Sequence, residues 1–496
     1  MRRHVRWLQR GLILTVIGWC APAVMAAAPS AGSNPAASDF VVRDGDVWVM
    51  AGDSITWQNL YTVYLEAFIR ARYPRMKFVT VNSGKSGEVY IQGLIRFRGT
   101  MAAYKPTLVT VNYGMNDHVK VFRPGQNFLQ DPRSAPQRFV EAVRGTRARL
   151  VMLSASPLVA PSDYSAGDGR SNPVNLLFAT QLAQLAERNG VPFLDQMTPL
   201  QEIWGANFPR DCVASLRKAL CGSNVLAAIK PYLENQKLVD LMPLPDKDNL
   251  LRQWRGLASA NDAQREEFQQ YLRGWAAQLD KATPPFVRVS GYTRSSRASD
   301  RIHPNEAGHL CMAGVLLKLF NADGLVSEVV IDTKSPAPVS VTKAVVRELS
   351  FKEGTLTFKR LDESLPFPID PLARPVLGVD EPSSQGNPKD LFGLSRYLTT
   401  VKNLPAGAYE IVIDGETVAS ADADQLARGF DAGLLDKGPV AKQCQRVLEA
   451  VQANTLMACV GKGEPPPRAV GVPRTFDEAQ PVEHVWTIRP LRRNNP

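Results

Sequence analysis

Four short polar clusters, far apart in the chain, hold the residue types that acyl transfer to a hydroxyl requires. Gly52, Asp53 and Ser54 offer a serine. The run from Asn82 to Gly87 ends in a glycine, and Gly114, Met115, Asn116 and Asp117 hold an amide. Asp300, Arg301, Ile302, His303 and Pro304 supply an imidazole with a carboxyl three residues before it. A serine hydroxyl is a poor nucleophile near neutral pH and needs a base to take its proton as it attacks. Imidazole is the side chain best suited to take a proton near neutral pH, so His303 can serve, and Asp300 can hold its other ring nitrogen and stabilise the imidazolium. Asn116 donates hydrogen bonds without titrating, and Gly87, lacking a Cβ, lets its backbone N–H come close to a developing oxyanion.

The first three clusters each follow an apolar run of strand length: Val47 to Met50, Phe78 to Val81 and Leu108 to Val111. Further runs of this kind stand at Leu150 to Ser154 and Val191 to Leu194. Between them, Asn59 to Arg72, Gln92 to Ala103, Ala135 to Arg144 and Val174 to Arg188 carry apolar residues at helical spacing. Alternating strands and helices predict an α/β fold with a buried parallel sheet, whose ligands sit at the carboxyl ends of the strands. Singly, each cluster also has a structural reading: Ser54 as a helix cap, Gly87 as a turn, Asn116 and Asp117 as a turn, His303 as a loop residue before Pro304. Their order and their placement at strand ends favour chemistry.

In these blocks the sequence resembles the SGNH, or GDSL-type, hydrolase family, whose serine, glycine, asparagine and histidine come in this order. The resemblance covers roughly residues 45 to 320, and the first block reads Gly-Asp-Ser-Ile where leucine is commonest. It implies a flavodoxin-like three-layer sandwich and an acyl-enzyme formed on Ser54. It also implies a triad of Ser54, Asp300 and His303, and an oxyanion hole built from the N–H groups of Ser54 and Gly87 with the Asn116 side chain. No cofactor or metal is implied, and no Cys and His spacing suggests a zinc site. His303 and His309, six apart, fall on different helix faces. The phosphate-loop glycine that Gly84, Lys85 and Ser86 would need is missing at Val79, and the G-x-S-x-G elbow is absent around Ser54.

The hydrolase domain is expected over residues 40–335, with a helical cap inserted at about 200–285, where Leu226 and Leu251 read as packing residues. Trp57, Tyr90, Tyr113 and His118 adjoin the blocks and are candidates to line the pocket. From 336 to 496 the pattern turns to short strands, including a hairpin about Asp414-Gly415, and predicts a β-rich mixed accessory domain.

Arg2, Arg3, Arg6 and Arg10 precede an apolar stretch from Leu12 to Trp19 and small residues near Ala26, the pattern of a secretory signal peptide over residues 1–28. Its removal lowers the formal charge from +10 to +6 and leaves no membrane span. The remaining Lys and Arg are scattered without an aromatic-lined stripe, so nucleic acid is not an expected partner. Export to the periplasm or beyond predicts disulfides Cys212–Cys221 and Cys444–Cys459, with Cys311 reduced and buried. The function expected is an exported serine esterase acting on a small-molecule or polysaccharide ester, foremost a carbohydrate or envelope-polymer O-acyl esterase. A lysophospholipase or thioesterase, and a non-catalytic binding protein on the same fold, are the alternatives.

Overall fold

The computed structural model describes residues 40–122, 127–158, 169–204, 225–234, 247–282, 302–377, 392–458 and 471–491. The expected signal peptide, Asp300, Cys212, Cys221 and Cys459 lie outside them. The five expected apolar runs form β1 (Asp46–Gly52), β2 (Phe78–Gly84), β3 (Leu108–Asn112), β4 (Arg149–Leu153) and β5 (Phe193–Leu194), paired in parallel in the order β2-β1-β3-β4-β5. Side chains alternate across these strands. On β1, Trp48 and Met50 face one core while Val49 and Ala51 face the other. Helix α2 (Tyr61–Arg72) and the later helix Glu306–Leu319 cover the first face. The opposite face is covered by α3 (Tyr90–Gly99), α5 (Ala135–Gly145) and α6 (Asn172–Arg188), giving the expected three layers. The short helices α1 (Ser54–Trp57) and α4 (Asp117–Lys120) begin just beyond β1 and β3. Strand order reverses between β1 and β3, so the residues after both strands meet at the crevice where such sheets take ligands.

The segment between Leu194 and His303 is helical where described, with helices Val225–Leu233, Lys247–Gly256 and Asp262–Ala282. Leu251 is buried and Leu226 half-buried, as packing residues are.

The C-terminal region builds two further sheets. One contains β6 (Leu325–Asp332), β7 (Ser340–Thr342), β10 (Arg396–Lys402) and β13 (Phe430–Asp431). The other holds β8 (Ala344–Lys352), β9 (Thr355–Asp362), β11 (Ala408–Ile413), β12 (Glu416–Asp422) and β15 (His484–Pro490), all antiparallel. Asp414 and Gly415 both take positive φ, 50° and 84°, as a type I′ hairpin turn needs. Phe40–Pro496 is one compact unit. β14 (Leu456–Met457) runs parallel to β2 as a sixth strand of the parallel sheet, and one hydrophobic core runs from Trp48 and Phe68 to Val447 and Trp486. Between the two C-terminal sheets lies a buried charge: Arg360 bonds Asp362, Ser327 and Thr399, while Tyr397 donates to the other Asp362 oxygen at 2.6 Å.

Cys311 is buried and reduced, as expected. The expected Cys444–Cys459 bond is not formed, since Cys444 is a free, buried thiol. Helical phase explains the difference: on helix Pro439–Asn454 the buried stripe is Val440, Cys444, Val447, Leu448 and Val451, and Cys444 Sγ meets the Pro366 carbonyl at 3.5 Å. Burial pushes both thiols up to about 12, far from the reactive thiolate range. Iodoacetamide should therefore leave both untouched in the native protein and label both once it is unfolded without reductant. A cross-linked peptide joining Cys444 to Cys459 would contradict this.

Candidate active site

Ser54 is the first residue of α1, and the chain enters that helix through Asp53, whose Oδ1 accepts the Ile55 N–H at 3.0 Å. The turn is held from the side by β2. Asn82 Nδ2 lies 2.7 Å from the Thr56 carbonyl and 2.8 Å from Asn59 Oδ1, and Asn82 Oδ1 accepts the Gly84 N–H. No side chain fits at Gly84, where a Cβ would stand 2.1 Å from the Trp57 backbone nitrogen. This close approach of β2 to α1 leaves Ser54 buried at the strand ends.

The second and third blocks clamp each other. Asn116 Nδ2 donates to the Glu88 carbonyl at 3.1 Å, Asp117 Oδ1 accepts the Tyr90 N–H at 2.9 Å, and Lys120 Nζ donates to the Gly87 carbonyl at 2.6 Å. Gly87 sits at φ 74°, a left-handed conformation that suits glycine. Asn116 also reaches the first block, with Nδ2 3.4 Å from Asp53 Oδ2.

The fourth block closes the site across 249 residues: His303 Nε2 lies 2.7 Å from Ser54 Oγ. His303 is delivered by the helix Glu306–Leu319, capped by Asn305, whose Oδ1 accepts the Gly308 N–H. Asp300, expected to support the imidazole, lies outside the described residues.

Sequence reasoning missed several groups. His309, weighed only as half of an unlikely metal pair, is fully buried against Tyr61; its Nδ1 accepts the Tyr61 N–H at 3.3 Å and its Nε2–H meets Gln58 Oε1 at 2.9 Å. A helix-initial histidine beside a strand-end block carries no sequence mark of that role. Arg170, likewise unmarked, donates from Nη2 to Asn116 Oδ1 at 3.1 Å. Of the four candidate lining residues, Tyr90 and Tyr113 are core, and His118 is buried with both ring nitrogens on backbone groups of Gly114 and Ser171. Only Trp57 is exposed, on the turn that begins with Ser54.

Two carboxyls beside the serine are strongly perturbed. Burial raises Asp53 to about 6, against the opposing pull of the Ile55 N–H, His303 and Arg170. Burial likewise raises Asp117 to about 7, with the nearby Asp53 charge adding to it. His309 moves the other way, lowered by burial to about 3, so it stays neutral. A hydroxyl held on an imidazole at hydrogen-bond distance, beside an amide donor, is an arrangement suited to nucleophilic acyl transfer.

The profile of the GDSL-like lipase/acylhydrolase family matches residues 50–212, which carry the first three blocks. The chain thus contains a GDSL-like lipase/acylhydrolase domain, and that domain makes it a serine ester hydrolase. Among solved structures, a gut microbial diltiazem-metabolizing enzyme shares 18% identity, with 83% of this chain and 78% of that one covered and a TM-score of 0.52, a likeness of fold. A catalytic variant of Axe2, an acetylxylan esterase from Geobacillus stearothermophilus, shares 18% identity over 34% of this chain and 84% of its own, with a TM-score of 0.29. No curated protein matches the chain in sequence.

The buried imidazole sets a pH dependence of stability. Unfolded, His309 takes a proton near 6.5; folded, only near 3. Its contribution is therefore complete above pH 6.5 and lost as pH falls toward 3, by roughly 2 kcal/mol at about pH 5. Asp53 and Asp117, raised on folding, act in the opposite sense. Comparing the wild type with His309→Phe isolates the histidine: the variant should melt lower at about pH 8 yet lose less melting temperature between there and about pH 5. Equal losses in both proteins would rule out the buried neutral imidazole as the source.

Proposed function

We propose that Ser54 is the nucleophile and His303 the general base of an exported esterase that removes O-acyl groups from a carbohydrate or envelope polymer. The 2.7 Å contact between Ser54 Oγ and His303 Nε2 carries the catalytic half of this reading. As Oγ attacks the ester carbonyl, Nε2 takes its proton and negative charge collects on the carbonyl oxygen. The N–H groups of Ser54 and Gly87 and the Asn116 amide receive that charge. Collapse of the intermediate expels the alcohol, which leaves with the proton from His303, and the acyl group stays on Ser54. Water then attacks the acyl-enzyme with His303 again as base, regenerating the serine and releasing the acid. Asp300 is assigned the orienting carboxylate on the strength of its spacing from His303.

Two features support the substrate class. Trp57 presents an exposed indole one helical turn from Ser54, a surface suited to stacking on a sugar ring. The arginine-rich, apolar leader at residues 1–28 supports export, and the formal charge of +6 that its removal leaves favours an anionic envelope polymer.

With p-nitrophenyl acetate, Ser54→Ala and His303→Ala should each abolish nearly all turnover while the protein stays folded. Asn116→Ala should lose roughly a hundredfold to a thousandfold in kcat. Undiminished hydrolysis by Ser54→Ala would sink the assignment. The polymer reading predicts that Trp57→Ala raises KM for acetylated glycan by about tenfold, as loss of about 1.4 kcal/mol of stacking would, with little change for p-nitrophenyl acetate. A clear preference for long-chain p-nitrophenyl esters over acetylated glycans would replace it with a lysophospholipase or thioesterase.

A further inference from the structure

We propose that Arg170 is a positioning residue for the Asn116 amide, holding Oδ1 so that Nδ2 faces the nucleophile block. The proposal rests on the reading of Asn116 as an oxyanion donor. An asparagine side chain has two ends of nearly equal shape, and a half-turn about its last bond exchanges donor for acceptor. A guanidinium has no acceptor. Arg170 Nη2, 3.1 Å from Asn116 Oδ1, is therefore compatible with only one orientation of the amide. In that orientation Nδ2 directs its hydrogens to the Glu88 carbonyl at 3.1 Å and toward Asp53 Oδ2 at 3.4 Å. The second contact is long, and a developing oxyanion, a better acceptor in the same direction, displaces it. A positive donor on Oδ1 also draws electron density from the amide and strengthens Nδ2–H as a donor.

Arg170 is itself built into place. The N–H of the next residue, Ser171, is accepted by His118 Nε2 at 3.2 Å, and His118 Nδ1–H donates to the Gly114 carbonyl at 3.0 Å. One residue on, Asn172 bonds both the N–H and the carbonyl of Leu158. His118 lies on α4, two residues from Asn116. The short segment leading into α6 is thus tied to the same turn that its arginine reaches back to. The guanidinium also attracts the Asp53 carboxylate, which draws charge of opposite sign to the amide's other neighbour.

The test is a cycle of variants assayed with p-nitrophenyl acetate: Arg170→Met, Arg170→Lys, Asn116→Ala, and Arg170→Met combined with Asn116→Ala. Arg170→Met should lower kcat by roughly tenfold to a hundredfold, a part of what one oxyanion donor contributes, with KM within about threefold of wild type. Arg170→Lys, which keeps the charge and a donor, should recover at least about threefold of the loss. Because the arginine acts through the amide, the double variant should be no worse than Asn116→Ala alone by more than about twofold. Wild-type kcat in Arg170→Met, or losses that multiply in the double variant, would overturn the proposal. If Arg170→Met fails to fold, Arg170→Lys with and without Asn116→Ala completes the same comparison. Should Asn116→Ala itself retain full kcat, the oxyanion reading and this proposal fall together, whereas an impaired Asn116→Ala beside an unimpaired Arg170→Met removes this proposal alone.

Discussion

A neutral, fully buried imidazole joins the two halves of the active site. His309 accepts the first N–H of α2 and meets the Gln58 side chain just past α1, so the helix that His303 leads into is fixed to the turn that carries Ser54. The two catalytic side chains stand 249 residues apart in sequence, and every element between them is a source of positional error. A direct link, one helical turn beyond Pro304 on one side and at the start of α2 on the other, removes most of that error. Burial makes the link cheap to keep neutral and costly to charge, which holds its hydrogen-bond pattern constant through the pH range in which a histidine base works.

Around that link the molecule is a set of mutual clamps. Asn82 ties β2 to the serine turn; Asn116, Asp117 and Lys120 tie α4 to the glycine block; Arg360 and Asp362 tie the two C-terminal sheets through Ser327, Thr399 and Tyr397. In each case a buried polar group finds several partners, as burial without partners would be strongly unfavourable. At Asp117 this satisfaction is incomplete: its Oδ2 is buried and has no hydrogen-bond partner among the described residues, and burial raises the carboxyl to about 7. That residual strain lies next to the serine, where a polar pocket has to accept new charge during reaction.

Much of this was legible in the sequence, and the reasons are specific. The five apolar runs became strands because nothing else of that length and composition fits a sheet covered on both faces, and their polar ends had to converge at the strand-order reversal. Ser54, Gly87 and Asn116 were visible because their polar blocks directly follow apolar runs of strand length, and His303 because an aspartate stands three residues before it. Arg170 was one cation among 58, on a segment without periodicity, and its meaning comes only from the tertiary approach of α6 to α4. His309 looked like an ordinary residue of an apolar helix. The two-residue β14 is too short to leave a pattern, and an oxidising compartment suggests a bond for Cys444 without regard to the helical phase that buries its thiol. A change in composition at 336 says nothing about which older surface the later strands cover, and that packing is seen only in the shared core.

The position of β14 has a consequence for how the chain is made. Strands β1 to β5 are all synthesised before residue 195, yet the outer edge of β2 is covered by residues 456 to 458 and by Arg474, which come more than 250 residues later. Through the intervening length of translation, a sheet formed from these five strands alone would leave that flank of β2 open, the kind of surface that recruits stray strands from other chains. A holding chaperone that keeps the polypeptide extended until these late residues have emerged would remove this hazard, so the order of elements along the chain itself sets a demand on whatever assists its folding.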